Sequence, residues 1–171
     1  MRNSDIRLID ILVVEDNAGD ARLIREVLND NKIFNSLFIV IDGVEAMDFL
    51  HNKGKYKKAP KPDLIILDLN LPKKDGREVL AEIKTDEELK HIPIVIMTIS
   101  QAEEDILKSY NLHANCYITK PIDLDQFIKV VKSIEDFWFS IVKLPPKAES
   151  LYHKPNSTQK QVNENTSDSH K

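Results

Sequence analysis

Hydrophobic residues along the chain fall into five short runs, separated by longer stretches in which apolar positions recur every three or four residues. Short apolar runs are typical of strands buried on both faces of a parallel sheet, and the wider spacing is typical of covering helices. The runs are residues 9–14, 37–41, 64–67, 94–97 and 116–118. The pattern predicts an α/β protein in which five strands alternate with five helices.

Five polar side chains stand where these apolar runs stop. Two neighbouring acids, Glu15 and Asp16, follow the first run, and Asp68 follows the third. Thr98 and Lys120 come at the ends of the last two. If the strands take the doubly wound order 2-1-3-4-5, their carboxyl ends lie at one edge, with the first and third strands side by side. We therefore expect one site.

Crowded carboxylates repel one another, and a divalent cation with a preference for oxygen ligands relieves that repulsion. We expect Mg²⁺ or Mn²⁺ bound directly by Asp16 and Asp68, with Glu15 acting through a water. A metal beside a lysine and a hydroxyl suits a phosphoryl group. Asp68 is then the candidate nucleophile, while Lys120 offsets the added charge and Thr98 donates a hydrogen bond to a phosphoryl oxygen.

Composition narrows the classes of protein further. The 171-residue chain has a formal net charge of −4, which argues against nucleic-acid binding. It contains no apolar run of the ~18 residues that a membrane span needs and no visible secretory signal, so we expect a cytoplasmic location. The lone Cys116 is interpreted as a core residue. Residues 1–144 are expected to form one domain, and the polar residues 145–171 a disordered tail.

Residues 53–61 carry five lysines and two turn residues, Gly54 and Pro60. Such a charge run is commonly a solvated loop. It is also consistent with a docking patch for an acidic partner. The sequence leaves both interpretations open.

Several motifs together resemble the receiver domain of two-component response regulators. They are the run ILVVEDN at residues 11–17, the run PDLIILDLNLP at residues 62–72, Asp75-Gly76, Thr98, Tyr117 and Lys120-Pro121. The resemblance covers about residues 9–140. Residues 73–80 and 137–145 further resemble the small stand-alone regulators paired with cyanobacterial and bacterial phytochrome histidine kinases.

The resemblance implies a flavodoxin-like (βα)5 fold and a phosphoacceptor, not an enzyme, that assists its own phosphotransfer and dephosphorylation. Asp68 would accept phosphate from a kinase phosphohistidine, in a reaction that depends on Mg²⁺. The backbone carbonyl of Asn70 would join the two acids as a metal ligand. Tyr117 would switch with Thr98, altering the surface of the fourth helix, fifth strand and fifth helix. The resemblance also implies a cis peptide bond before Pro121.

Three consecutive aromatic residues, Phe137, Trp138 and Phe139, lie on the last predicted helix, at about residues 124–140. Neighbouring side chains on a helix diverge by about 100°, so these three cannot all face the sheet. Either residues 141–146 fold back over them or they form the face of a homodimer, which the resemblance favours.

Two rival functions are less consistent with the residues. An aspartyl-phosphate phosphatase or phosphotransferase needs a second acid two positions after its nucleophile, where this chain has Asn70. A degenerate receiver that acts only as a scaffold would lack site residues, and all are present.

The chain departs from many receivers at Ile99, because many of them have a small residue after the switch threonine. We hypothesise that Ile99 hinders water from reaching the acyl phosphate.

Overall fold

A computed structural model describes residues 8–29 and 35–146. It contains five strands, β1 Ile9–Val14, β2 Asn35–Val40, β3 Leu64–Leu67, β4 Ile94–Thr98 and β5 Cys116–Thr119. The five α-helices are α1 Ala18–Asn29, α2 Gly43–Leu50, α3 Gly76–Thr85, α4 Glu103–Asn111 and α5 Leu124–Glu135. The strands pair in parallel in the order β2-β1-β3-β4-β5, which confirms the predicted topology.

Each strand contributes side chains to two separate hydrophobic cores, one on each face of the sheet. In β1, Leu12 and Val14 face the core that contains α2 and α3 residues, while Ile11 and Val13 face the core formed with α1 and α5. This alternation follows from the pleat, which directs successive side chains to opposite faces. The sheet is therefore covered on both sides, as a parallel sheet requires.

Four of the five α-helices begin at a polar side chain that caps the first turn; three of them, α1, α2 and α5, follow a strand after only two to four residues. The cap oxygens accept hydrogen bonds from backbone N–H groups in the first turn and thereby satisfy donors that the helix leaves unpaired. The caps are Asn17, Asp42, Asp75 and Asp123. Short connections keep the side chains that follow each strand close to the carboxyl edge of the sheet.

The last helix differs from the prediction. The α-helix ends at Glu135 and continues as a π-helical turn, Asp136–Ile141. A π-turn is wider than an α-turn, so it changes the direction in which consecutive side chains leave the backbone. Trp138 enters the core beside α5, whereas Phe137 remains 49 % exposed. The prediction that Trp138 lies on an outer dimer face is therefore wrong.

Residues after the π-turn help to cover the aromatic residues at the end of the last helix, which is one of the two arrangements that the sequence left open. Val142 and Leu144 pack at the border of the same core as Phe139. Of the predicted disordered tail, residues 147–171 lie outside the described residues, and the boundary at residue 144 stays a prediction.

Within residues 8–29 and 35–146, no helix has both the length and the apolar character needed to cross a bilayer.

Candidate functional site

The structure brings the predicted site residues together at the carboxyl edge of the sheet. Glu15 follows β1, Asp68 follows β3, and Lys120 follows β5, and all three side chains are buried. Thr98, the last residue of β4, is fully buried as well. Asp16 is exposed, so it lies at the mouth of the site. The site is thus a pocket whose charged groups are largely removed from water.

The ammonium group of Lys120 is the centre of this pocket. Its Nζ donates to Glu15 Oε2 at 2.6 Å and to Asp68 Oδ2 at 2.7 Å. It also donates to Asp20 Oδ2 at 3.0 Å. One cation therefore links carboxylates from three segments of the chain. Charge-assisted bonds of this kind are among the stronger interactions that side chains form.

Sequence reasoning did not select Asp20 as a site residue. The residue lies in the first turn of the helix, three positions after the cap Asn17. The helix α1 starts directly beside the site, so its first turn brings Asp20 to the pocket. The later turns of α1 lie farther from the pocket. The short spacing from the strand end was the available signal.

Burial and pairing compete in setting the charge of these groups. Burial raises the pKa of Glu15 to about 7, and the hydrogen bond and positive charge of Lys120 oppose that rise. Burial alone would lower the pKa of Lys120, but its bonds to Asp68 and Glu15 more than offset that effect and raise the pKa. Lys120 therefore stays protonated and provides a fixed positive charge next to Asp68.

The acids of the pocket form a set that could hold a metal ion. One carboxylate oxygen from each of Glu15, Asp16 and Asp68 lies within 4.8 Å of the others. Hard oxygen donors at this spacing fit Mg²⁺ or Mn²⁺, which keep several waters and need only a few protein ligands. The chemistry of the donor set therefore fits the predicted cation.

The loop after β3 is shaped by a close approach to the start of α3. The Asn70 N–H donates to Asp68 Oδ1 at 2.9 Å, and the Gly76 N–H donates to the Leu69 carbonyl at 2.9 Å. A Cβ at position 76 would lie 2.2 Å from the Asp68 carbonyl oxygen. Only glycine fits there, which explains the Asp75-Gly76 pair of the sequence.

Thr98 and Tyr117 each have a defined partner next to the acids. The Asn70 amide donates to Thr98 Oγ1 at 3.2 Å. The Tyr117 hydroxyl donates to the Ser100 carbonyl at 3.0 Å, and the ring is half-buried. Burial raises the pKa of Tyr117, so its hydroxyl remains a donor. Both residues therefore have hydrogen bonds that could be exchanged when the pocket changes.

A polar network links this region to α4. Arg77, in the first turn of α3, donates to both carboxylate oxygens of Asp105, at 2.8 and 2.6 Å. The Ser100 hydroxyl donates to Asp105 at 2.5 Å. Hydrogen bonds from Arg77 and Ser100 hold the pKa of Asp105 at about 2. Asp105 thus connects the start of α4 to the loop after Thr98.

The structure corrects one prediction about the site. Every peptide bond in residues 8–29 and 35–146 is trans, including the bond between Lys120 and Pro121. The trans isomer is favoured for X–Pro bonds by roughly 0.5–1 kcal/mol. Lys120 reaches Asp68 and Glu15 with this geometry, so the cis form is not needed to aim its side chain.

The lowered pKa of Asp105 predicts a pH-dependent contribution to stability. The carboxylate stabilises the folded chain fully above its ordinary pKa of 3.8, and this contribution is lost as the pH falls towards about 2. The shift corresponds to an upper bound on the order of 2 kcal/mol. Urea unfolding at several pH values should therefore show Asp105→Asn less stable than wild type near neutrality, with the gap narrowing below about pH 4.

The matched control is Glu103→Gln, which removes an exposed carboxylate from the same turn of α4. This variant should follow the wild-type curve throughout. A gap between wild type and Asp105→Asn that keeps the same size down to the lowest usable pH would contradict the assignment.

Comparison with known proteins agrees with this geometry. The family model of the response regulator receiver domain matches residues 11–132. The chain is 53 % identical over 135 residues to the response regulator Rcp1 of Synechocystis sp., which spans 79 % of this chain and 92 % of that protein. The match therefore covers most of this chain and most of Rcp1.

Solved structures give the same result. The phosphorylated cyanobacterial phytochrome response regulator RcpA superposes with a TM-score of 0.80 at 53 % identity, covering 82 % of this chain and all of that one. The Mn²⁺-bound form of Rcp1 gives a TM-score of 0.79 at 52 % identity, covering 81 % and 99 %. A bacteriophytochrome response regulator, AtBRR, is 39 % identical, with a TM-score of 0.62 and coverage of 77 % and 96 %. The chain belongs to the response regulator receiver domain family.

Proposed function

We propose that this chain accepts a phosphoryl group on Asp68 from a histidine kinase, in a reaction that depends on Mg²⁺, and that the modification changes the surface formed by α4, β5 and α5. The observation that carries the proposal is the placement of Asp68, whose carboxylate lies 2.7 Å from the Lys120 ammonium and belongs to the acidic cluster. A nucleophile, a fixed cation and a candidate metal site therefore meet at one carboxylate.

The reaction would proceed by displacement at phosphorus. A carboxylate oxygen of Asp68 forms the new P–O bond, the P–N bond of the phosphohistidine breaks, and the imidazole leaves with the electron pair. The ammonium group of Lys120 would leave Glu15 and move towards a phosphoryl oxygen, where the added negative charge lies. A bound Mg²⁺, held by Glu15, Asp16, Asp68 and the Asn70 carbonyl, would neutralise the remaining charge on the phosphoryl oxygens.

The hydrogen bonds around Thr98 support a switch. Thr98 Oγ1 accepts its hydrogen bond from the Asn70 amide, so the Thr98 hydroxyl proton is available for a phosphoryl oxygen. Donation to that charged acceptor would draw Thr98 towards Asp68 and away from Asn70. Tyr117 would then leave the Ser100 carbonyl and turn inward. Because Ser100 also binds Asp105, this exchange would loosen the attachment of α4 and shift the population of its positions.

The kinase is proposed to be of the phytochrome type, and the chain to act in the cytoplasm with it. Support comes from the high identity to RcpA and from the further similarity to AtBRR, which are phytochrome and bacteriophytochrome response regulators. The light signal, in that case, is sensed by the partner.

The chain is also proposed to assist the loss of its own phosphoryl group, at a rate set by how readily water reaches the acyl phosphate. Ile99 follows Thr98 and is 68 % exposed, so it lies at the rim where such a water would enter. A bulky apolar side chain there would slow hydrolysis.

A homodimer through the end of α5 completes the proposal. Phe137 and Ile141 are four residues apart on the π-turn and are 49 % and 72 % exposed. Together they form an apolar surface that a second copy could cover. Phe139 is half-buried and contributes at its edge.

A turnover enzyme is disfavoured by Asn70. An amide cannot act as a general acid, and this amide already donates to Thr98. We therefore expect stoichiometric labelling and not repeated hydrolysis of phosphate esters.

The proposed nucleophile is tested with acetyl phosphate and Mg²⁺. Intact-mass measurement should show one phosphoryl group on the wild-type chain, no label on Asp68→Asn, and no label once the metal is chelated. Asp136→Asn, which changes an exposed aspartate away from the site, should be labelled like wild type. Persistent labelling of Asp68→Asn would reject Asp68 as the nucleophile.

The role of Ile99 is tested by the decay of the phosphorylated form. Ile99→Ala should lose its label several-fold faster than wild type because water gains access to the acyl phosphate. Ile122→Ala, which removes another exposed apolar side chain near the same edge, serves as control. A decay no faster than that of wild type would count against the hypothesis.

The dimer surface is tested by light scattering across a range of concentrations. Phe137→Ala should lower the measured mass towards that of a monomer, since it removes the largest exposed ring of the surface. Val44→Ala, which alters an exposed apolar residue on α2, should leave the mass unchanged. A wild-type chain that remains monomeric with and without phosphorylation would refute the dimer.

A further inference from the structure

A loop on the α2 side of the molecule carries an unusual density of positive charge. The lysine loop, residues 53–61, joins α2 to β3 and contains Lys53, Lys55, Lys57, Lys58 and Lys61. Lys55 pairs with Glu45 and Lys61 with Glu88. The side chains of Lys53, Lys57 and Lys58 are exposed and make no ion pair with any residue that the structure describes. This is a local excess of positive charge on a chain with a net charge of −4.

Side-chain contacts of Tyr56 and Asn52 hold the lysine loop in one conformation. The Tyr56 ring packs edge-on against Phe49 with centroids 5.2 Å apart, and its hydroxyl donates to Glu45 at 2.7 Å. The Asn52 amide donates to the carbonyls of Tyr56 and Ala59, at 3.2 and 2.7 Å. Since these contacts fix the backbone, the lysines are presented at defined positions. Binding to them would then cost less conformational entropy than binding to a flexible tail.

Glu45 connects the lysine loop to the edge of the sheet that carries Asp68. Besides Lys55 and Tyr56, it accepts a hydrogen bond from the Ile41 N–H at 3.0 Å. Burial would raise the pKa of Glu45, but the Lys55 and Ile41 hydrogen bonds lower it below its ordinary value. Glu45 is therefore charged near neutrality and holds the loop against the start of α2.

A cavity of about 440 Å³ lies between the lysine loop and the loop that follows Asp68. Lys53 and Lys55 line one side, and Lys73, from the segment between β3 and α3, lines the other. Ile41 and Val44 also line it and are 58 % and 45 % exposed. The acids Asp42, Glu45 and Asp48 line the cavity as well, and Lys73 pairs with Asp42 as Lys55 does with Glu45. The cavity is therefore an apolar patch with a balanced rim, and the positive excess of this surface comes from Lys53, Lys57 and Lys58. Ile41 and Asp42 directly follow β2, so the patch adjoins the edge of the sheet that carries Asp68.

We propose that the lysine loop, with Ile41 and Val44, docks an acidic surface of the protein that donates the phosphoryl group to Asp68. This inference rests on the proposed function. The acids Glu15, Asp16, Asp20 and Asp68 give the pocket a negative charge that repels both an acidic donor and its phosphoryl group. A positive surface beside the pocket offsets this repulsion during the encounter, when long-range electrostatic attraction sets the rate of association.

The test compares two phosphodonors on the same variants. The probes are acetyl phosphate and an autophosphorylated phytochrome-type histidine kinase that labels the wild-type chain. The triple variant Lys53→Glu/Lys57→Glu/Lys58→Glu should react with the kinase about tenfold more slowly at low salt and lose most of the salt dependence of that rate. Its labelling by acetyl phosphate should stay within about twofold of wild type, because a small donor needs no docking.

Two further variants separate charge from other effects. Replacement of the same three lysines by arginine keeps the charge and should keep the kinase rate. Lys129→Glu/Lys132→Glu/Lys143→Glu reverses three exposed lysines at the far end of the chain and should slow the kinase reaction much less than the loop variant does.

Each remaining outcome overturns the proposal. Three results would reject the docking surface and leave the proposed function intact. They are an unchanged kinase rate in the loop variant, an equal loss of its labelling rate with acetyl phosphate, and an equal loss of kinase rate in the control triple variant. Binding of duplex DNA that depends on the loop lysines, with an unchanged kinase rate, would assign the loop to a nucleic acid instead. A wild-type chain that neither donor labels would reject the proposed function and the docking surface together.

Discussion

The contact of one buried ammonium group with three carboxylates is the interaction on which the site depends. Glu15, Asp20 and Asp68 come from two strand ends and a helix start, and without a cation their mutual repulsion in a dry pocket would cost several kcal/mol. Lys120 offsets part of that cost by binding all three. The same contact holds the Asp68 carboxylate in place inside a buried pocket.

The attachment of α4 provides the means by which a change at this pocket can spread. The helix has no side-chain cap, and its one buried residue, Ser109, is polar. Among the described residues the Ser109 hydroxyl has no hydrogen-bond partner. The helix is therefore held largely by the Arg77–Asp105 pair and the Ser100 hydroxyl, groups that respond to hydrogen-bond exchange. A helix anchored in a large apolar core would resist such an exchange.

Much of this could be predicted from the sequence because the signals are local. Apolar runs fixed the strands, and polar residues after them marked the edge where Asp68 and Lys120 meet. The features that escaped prediction depend on contacts between distant segments. Asp20 binds Lys120 across 100 positions, and Arg77 meets Asp105 across 28. The π-turn of residues 136–141 also escaped prediction, although the burial of Trp138 in one core with Phe127, Val131 and Ile134 follows from their spacing of three and four residues.

The most direct test of the account is a crystal structure with beryllofluoride and Mg²⁺. The account predicts beryllium bonded to a carboxylate oxygen of Asp68, a cation on the side of Glu15 and Asp16, and fluorine atoms contacted by Lys120 Nζ and Thr98 Oγ1. In that structure Thr98 would no longer contact Asn70. An unmodified Asp68, with Lys120 still bound between it and Glu15, would contradict the account.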